Sequence, residues 1–564
     1  VDGTYQTFGM LERTGHGDMP GRGHIPYLGI GLCYALAPLF ALFGSSVFAA
    51  WAAAQAGTQL AWLACLWCFA RACGASPQQA AGRAGLVFLV TLVARLAKRL
   101  LLPHATDEML SAVFEPGNSL LYLRDSAPII LATLVLAAPR RWQGGILAVG
   151  AGALVWWSPA SGLALALTAA AVRLGMELQP RKPVRRRLAA LTGWGILLLL
   201  AMLAMAALIA GGDPLVLIRR VFLDPGGNQF WFFGGFADHA RVLRLADLAR
   251  VVGGNWLNGL TLALALAAGL LGWRRARTGG GRPALVMLIL GSQFLAGLIS
   301  QVGGHIEAHY FSSVANSGIG LAVLLAWPAR LPFVRPGRSF RAGRAVLAVA
   351  AAGMVAVSAL VLHPTAAIQR KFASGLGHYL PEAAMPFPAA ADGELAWLRA
   401  QRRVMDLARV PADRRLLATY HAWPDLIVGA TAHPRFNSII HLMNAADRAE
   451  FAAYLLRQQP VLAATVDPAA SGWEYWNVRA SWQFYRALIA QYHPVRAGTA
   501  FDYWERGAAA APTAPAPRCI VEPHGPATAV LTFPALPAGS PAMLLDVALD
   551  YDADPGRPGP GGAL

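Results

Sequence analysis

Between residues 46 and 363 apolar runs recur, most of them about 20 residues long and able to cross a hydrocarbon core of about 30 Å as a helix. In lipid every backbone N–H and C=O must find its partner inside the protein, so such runs fold as helices. The candidate spans are 46–70, 84–102, 119–137, 144–157, 160–173, 189–210, 254–272, 283–302, 311–329 and 343–363. Only 14% of the 564 residues are charged and 56% are hydrophobic, whereas a soluble protein carries about a quarter charged residues. The expected fold class is a polytopic α-helical membrane protein with a polar region appended at the C-terminal end.

The net charge of +17 does not point to nucleic acid. Its Arg clusters sit in short loops between apolar runs, where basic residues fix orientation. These loops are Arg71 to Arg83, Arg140-Arg141, Arg173 to Arg187, Arg274 to Arg282 and Arg330 to Arg344. All fall on one side if the spans simply alternate. That predicts a multi-pass protein of the cytoplasmic (inner) membrane. Residues 1–45, 103–118, 211–253, 303–310 and everything after 363 then lie outside. The same parity requires the apolar stretch Tyr27 to Phe43 to be non-crossing, an interfacial or re-entrant helix containing Pro38. The chain starts without Met inside a polar loop, which predicts a preceding span. Trp156-Trp157-Ser158-Pro159 breaks a short hairpin of spans, and its Trp pair suits the membrane interface.

The expected domains are a first extracytoplasmic loop with its interfacial helix (1–45), a transmembrane domain (46–363), an extracytoplasmic α/β domain (364–507) and the start of a β-sandwich (518–564). In the third of these, Leu416–Thr419 and Val461–Val466 read as strands, while Ala445–Arg457 and Ala480–Gln491 read as helices. Ala508–Pro517 is a linker. Cys519–Glu522, Ala529–Phe533 and Met543–Tyr551 alternate like sandwich strands, and the module looks cut at Leu564. Cys65-x-x-Cys68 has redox spacing, but inside an apolar helix it reads as packing.

Residues fit for chemistry concentrate in the first loop. Asp2 lies where a membrane-face transferase needs a base to take a proton from its acceptor, although Asp before Gly-Thr-Tyr also suits a helix N-cap. Glu12, Asp18 and Arg22 add charge to the same loop. Asp2-Gly3-Thr4-Tyr5, Leu11-Glu12-Arg13-Thr14-Gly15, Met19-Pro20, Pro26-Tyr27 and Ala41-Leu42-Phe43-Gly44 together resemble the first extracytoplasmic loop of GT-C fold glycosyltransferases. These include the bacterial aminoarabinose and mannosyl transferases that use polyprenyl phosphate sugars. The resemblance implies a GT-C-like transmembrane domain, Asp2 as the catalytic acid residue, and a non-spanning helix before Phe43-Gly44. It implies substrate-binding roles for Tyr5, Glu12, Asp18 and Arg22.

Many relatives carry a Lys after the fifth span to meet the lipid phosphate, but Trp157-Ser158-Pro159-Ala160-Ser161-Gly162 has none. Another cation must serve. Arg95, Lys98 and Arg99 share one helix face, and Arg124 stands at another span end, where it adjoins Asp125 and local ion pairing is the alternative. Charges this near hydrocarbon are costly and often functional, with snorkelling to headgroups as the alternative. His305-Ile306-Glu307-Ala308-His309-Tyr310 places two His at i and i+4. The pattern is not His-Glu-x-x-His, so no metal is assigned. The resemblance gives His305, Glu307, His309 and Tyr310 a place along the substrate site. Leu223 to His239 combines Gly hinges with Trp231, Phe232 and Phe233, which suits a loop over the active site or an interfacial anchor. Trp423, Trp473, Tyr475, Trp476 and Trp482 suit either sugar stacking or core packing.

The expected function is an inverting transfer of sugar from a polyprenyl phosphate donor to a glycan, lipid or protein acceptor on the extracytoplasmic face. No cofactor is called for, and a divalent cation stays open. A lipid-linked sugar transporter or flippase is the alternative from another class, though no internal repeat supports it. A non-catalytic scaffold with a carbohydrate-binding tail is the third reading.

Overall fold

The fold comes from a computed structural model that describes residues 4–20, 23–24, 29–101, 120–177, 183–224, 256–278, 282–302, 317, 320, 391–467, 474–498, 500–507, 520–523 and 529–532. The N-terminal elements are helices α1 (Thr4–Gly15), α2 (Ile30–Leu42), α3 (Val47–Ala72), α4 (Pro77–Leu101), α5 (Leu121–Arg124), α6 (Ala127–Ala137), α7 (Gln143–Ala153), α8 (Pro159–Glu177), α9 (Val184–Ala210), α10 (Pro214–Ile218), α11 (Trp256–Thr278) and α12 (Pro283–Val302). Their boundaries follow local chemistry. Ser46 caps α3 by accepting the Ala49 amide at 3.1 Å. At α4, Ser76 and Gln79 exchange backbone and side-chain hydrogen bonds at 3.1 and 3.3 Å, a capping box with Pro77 at the first helical position.

The helices follow the candidate spans closely. The run 119–137 is interrupted at Asp125-Ser126, where the Ser126 hydroxyl donates to the Leu123 carbonyl at 2.6 Å. Run 144–157 ends in a turn of 3-10 helix, Leu154–Trp156. Runs 311–329 and 343–363 lie outside the described residues, apart from Ser317 and Gly320. Among the described residues, Ala160–Glu177 and Val184–Ala210 are long and apolar enough to cross a bilayer as single helices. The pair α2 and α3 passes the same test jointly but is bent by 119° at its break. Helix α2 alone, at 13 residues, is about 20 Å long, shorter than a hydrocarbon core.

The bundle is apolar outside and partly polar within. Only 17% of the most apolar stretch of α9 is buried, and Leu188, Ile196, Leu199, Leu200 and Leu208 are exposed along it. Such a face costs about 25 cal/mol per Å² in water, so lipid is its natural solvent. Gln55, Thr58, Ser292 and Gln293 are buried inside. The Trp156-Trp157 pair is held within the protein rather than set out at an interface. Trp156 is 3% exposed and donates to the Met202 carbonyl at 2.9 Å, and Trp157 donates to the Leu123 carbonyl at 3.1 Å. Cys65 and Cys68 are free, buried thiols 3.5 Å from the Ser317 hydroxyl and 3.0 Å from the Thr133 hydroxyl, respectively.

The C-terminal unit runs through α13 (Ala391–Leu407), β1 (Leu416–Ala418), α14 (Trp423–Val428), α15 (Ala445–Gln458), β2 (Leu462–Val466), α16 (Glu474–Ala480), α17 (Trp482–Gln491), β3 (Tyr492–Ala497) and β4 (Phe501–Arg506). The sheet order is β1-β2-β4-β3. Strands β1 and β2 are parallel, with Leu416 opposite Leu462, and every residue in both is buried, as expected of parallel strands covered on both faces. Strand β4 is antiparallel to both of its neighbours, and its hairpin with β3 shifts register between Pro494 and Arg496. Beyond the linker, the described part of the expected sandwich is one hairpin, β5 (Ile520–Pro523) with β6 (Ala529–Thr532). Met543–Tyr551 lies outside the described residues.

One apolar core joins the two ends of the chain. Tyr5, Phe8 and Leu11 of α1, Leu32, Leu36 and Phe40 of α2, and Val47, Ala49, Ala50, Ala53 and Ala54 of α3 belong to the same cluster as Leu416, Trp423, Phe451, Phe484 and Phe501. The first loop is therefore a helix packed into the C-terminal unit.

Candidate active site between the first loop and the C-terminal unit

Tyr5, Phe8 and Leu11 recur at intervals of three residues, which puts them on one stripe of α1, and this stripe is buried. The Tyr5 ring lies 5.9 Å from that of Trp423. The Trp423 indole donates to Glu394 at 3.3 Å, and the same carboxylate oxygen accepts the Tyr503 hydroxyl at 2.5 Å. At the other end of α1, both terminal nitrogens of the buried Arg13 guanidinium donate to main-chain carbonyls, those of His433 and Pro434. Burial lowers the Arg13 pKa, opposed by Asp18 and Glu12. It stays a cation in a protein. Burial, then Arg13, Arg435 and Arg457, depress His433 to about 3, so its imidazole is neutral.

Between these anchors sits His421, just beyond β1. Its Nε2 is 3.5 Å from Glu12 of α1 and its Nδ1 is 3.7 Å from Asp425 of α14. The ring stacks on Phe8 at 6.2 Å with 18° between planes. Burial alone would lower its pKa, but Asp425 and Glu12 outweigh this and raise it to about 9. His421 is thus an imidazolium at neutral pH, shared by two carboxylates.

A second feature is the corner where α5 ends and α8 begins. The Ser158 hydroxyl donates to the Arg124 carbonyl at 3.2 Å. Gly29, at φ 126°, closes the corner from the side of α2. A Cβ there would lie 2.3 Å from the Trp157 carbonyl oxygen, so only glycine fits. The Arg124 guanidinium is half-buried. Its Nε has no hydrogen-bond partner among the described residues, nor has the side chain an ion pair there. Such a cation can take an anionic ligand.

A third feature joins α10 to α15. Asn444 Nδ2 donates to both Asp224 and Asp447 at 2.8 Å, while its Oδ1 caps α15 by accepting the Asp447 amide at 2.7 Å. Arg219 is 3.4 Å from Asp224, and Arg435 is 3.6 Å from Asp447. Asp447 has its pKa raised by burial, with Asp224 adding to this against Arg220 and Arg435. Residues Arg219–Leu223 form a turn of π-helix, a form that favours functional segments. Asn444→Ala should cost about 0.5–2 kcal/mol for the cap alone, and more for the two carboxylates left without their shared donor. Thermal unfolding in detergent measures this. A second substitution, Asp224→Asn, should recover part of the loss, and an unchanged Tm for Asn444→Ala would refute the bridge.

The site residues expected from the sequence are placed as follows. Tyr5 is fully buried in the shared core and Glu12 faces His421, while Asp18 is exposed in the turn after α1. Arg124 lies at the corner described above. Arg95, Lys98 and Arg99 belong to the last turns of α4, with side chains outside the described residues. Asp2, Arg22, His305, Glu307, His309 and Tyr310 lie outside the described residues. So do Trp473 and residues 225–239 of the aromatic loop. Trp423 is a core residue. Among the described residues no three His, Cys, Asp or Glu side chains converge as a metal site would require.

Sequence reading missed His421, Asp425, Arg13 and the Asp224–Asn444–Asp447 bridge. The signals available were weak: His421 and Asp425 at i and i+4, and a lone Arg13 beside an apolar stripe.

No family model matches the chain, and no curated protein matches it. Among solved structures, it aligns with the apo crystal structure of the Archaeoglobus fulgidus oligosaccharyltransferase at 13% identity and a TM-score of 0.40, covering 89% of this chain and 70% of that one. It aligns with the same organism's oligosaccharyltransferase AglB in complex with an inhibitory peptide and a dolichol-phosphate at 13% identity and a TM-score of 0.34, covering 91% and 71%. It also aligns with that enzyme tethered to an acceptor peptide containing the NVT sequon, at 12% identity and a TM-score of 0.35, covering 89% and 70%. At this identity and superposition the likeness carries over neither an activity nor the role of any residue.

Proposed function

We propose that the chain is an integral membrane glycosyltransferase of GT-C type that moves a sugar from a polyprenyl phosphate donor to an acceptor on the extracytoplasmic face. The observation that supports this most is the joint core of α1 and the C-terminal unit. The first loop, which carries the candidate base in sequence just ahead of Thr4, is built into the polar unit that would receive an acceptor. The exposed apolar faces of α8 and α9 supply the membrane setting in which a lipid-linked donor is met.

In this reading Asp2 takes the proton of the acceptor hydroxyl as that oxygen attacks the anomeric carbon. The bond from that carbon to the lipid phosphate breaks, and the configuration inverts. The leaving phosphate takes the bonding electron pair and gains a negative charge as the diester becomes a monoester, so a cation beside it is needed more than a general acid. Arg124 is the described residue suited to that role, and Arg95, Lys98 and Arg99 are the other candidates. The topology that goes with this has the basic loops in the cytoplasm and the C-terminal unit outside.

Arg124→Gln should cost on the order of 1.5–3 kcal/mol of donor affinity, read as a rise in the KM for donor with acceptor KM unchanged. Replacement of Arg95, Lys98, Arg99 and Arg124 together by Gln should remove saturable donor dependence. Unchanged donor kinetics in that fourfold variant would remove these cations from the donor site.

A further inference from the structure

The contacts of His421 assign it more than a place in the core. It is buried, and the charged groups that face it come from two different parts of the chain, Glu12 from α1 and Asp425 from α14. The two carboxylates are not equivalent. Asp425 also accepts the Ala422 amide at 3.0 Å, so α14 holds it whatever the state of the imidazole. Glu12 has His421 as its ion-pair partner and belongs to the first-loop helix. Among the described residues, Asp425 and Glu12 are the titratable groups that act on the ring. Phe8 stacks on it, and Gly9 approaches so closely that a Cβ there would lie 3.0 Å from His421 Cδ2 and 3.1 Å from the Asn437 amide nitrogen.

We propose that His421 is a positioning residue, a cationic latch that holds α1 against the C-terminal unit through Glu12 and releases it when deprotonated. For its effect on sugar transfer the proposal rests on the reading of Asp2 as base, but for its effect on α1 it does not. The buried charge is the imidazolium, and the carboxylates beside it are what offset the cost of taking it out of water. Loss of the imidazolium removes this attraction, so Glu12, a third exposed and next to Arg13, turns to water and α1 loses one of its ties to the C-terminal unit. The sign follows from linkage: the folded pKa of about 9 is above the unfolded value of about 6.5. The latch is therefore complete below about pH 6.5 and lost as pH rises through about 9.

The test is hydrogen–deuterium exchange of the full chain in nanodiscs between pH 6 and pH 10, corrected for the intrinsic pH dependence of exchange. In the unsubstituted protein the protection of Thr4–Gly15 should hold near neutrality and fall as pH passes about 9, while β1 and β2 stay protected. In His421→Gln, α1 protection should be lower by about tenfold or more at pH 7 and should show no step with pH. Glu12→Gln leaves the C-terminal unit's own His421–Asp425 contact intact and should give the same two changes, which guards against a misfolded His421→Gln. Equal protection of α1 in the unsubstituted and Glu12→Gln proteins, or a Glu12→Gln protein that keeps the pH step, would overturn the latch. In transfer assays both variants should lower kcat while leaving the KM for donor unchanged. Asp2→Asn should keep the exchange step. If Asp2→Asn also keeps full transfer activity, the transferase mechanism falls and the latch stands on its exchange data.

Discussion

Asp2→Asn should give a protein that folds and binds donor but transfers sugar about 10²–10⁴-fold more slowly, the usual cost of removing a general base. The substitution keeps the shape of the side chain and removes its basicity, so kcat should fall while donor affinity changes little. Asp18 is the internal comparison. It is exposed in the turn after α1, and Asp18→Asn should do much less. Single-turnover transfer with saturating donor separates the outcomes. Near-normal transfer by Asp2→Asn, with loss only in Asp18→Asn, would move the base down the loop. Full activity in both would end the first-loop mechanism.

Arg13→Met should cost the protein on the order of 3 kcal/mol. Met fills a similar volume, so the change isolates the two charge-assisted bonds to the His433 and Pro434 carbonyls, each worth about 1.5–3 kcal/mol. The buried His433 carbonyl would then lose its donor, while that of Pro434, an exposed residue, can turn to water. The loss should appear as a lower Tm in detergent and as faster proteolysis after α1. Because Arg13 and His421 anchor the same helix, Arg13→Met and Glu12→Gln should be non-additive, with the second substitution costing less in the presence of the first. Strict additivity would mean that α1 is held at two independent points.

The arrangement also explains why the first loop reads ambiguously. Thr4–Gly15 contains Tyr, Phe, Met and Leu beside Gln, Glu and Arg, a composition that passes for a polar loop until its three-residue spacing is matched to a partner surface. Strand β3 was missed for a similar reason. Only Tyr492 is buried along it, so it lacks the alternation that identifies a strand, and it carries Pro494 at a register shift. Its pairing is set by β4.

The sequence by itself determined where the described long helices run, that β1 and β2 are strands, and that α15 and α17 are helices. These are local signals. Apolar length dictates a helix in lipid, and a short apolar run bounded by turns dictates a buried strand. Only the tertiary structure decided that α1 belongs to the C-terminal unit, that His421 lies between Glu12 and Asp425, and that Asn444 bridges Asp224 to Asp447. Those facts depend on pairs such as Arg13 with His433, 420 residues apart, and Asp224 with Asn444, 220 residues apart. Burial and charge pairing at such separations are properties of the assembled core, and no window of sequence contains both partners.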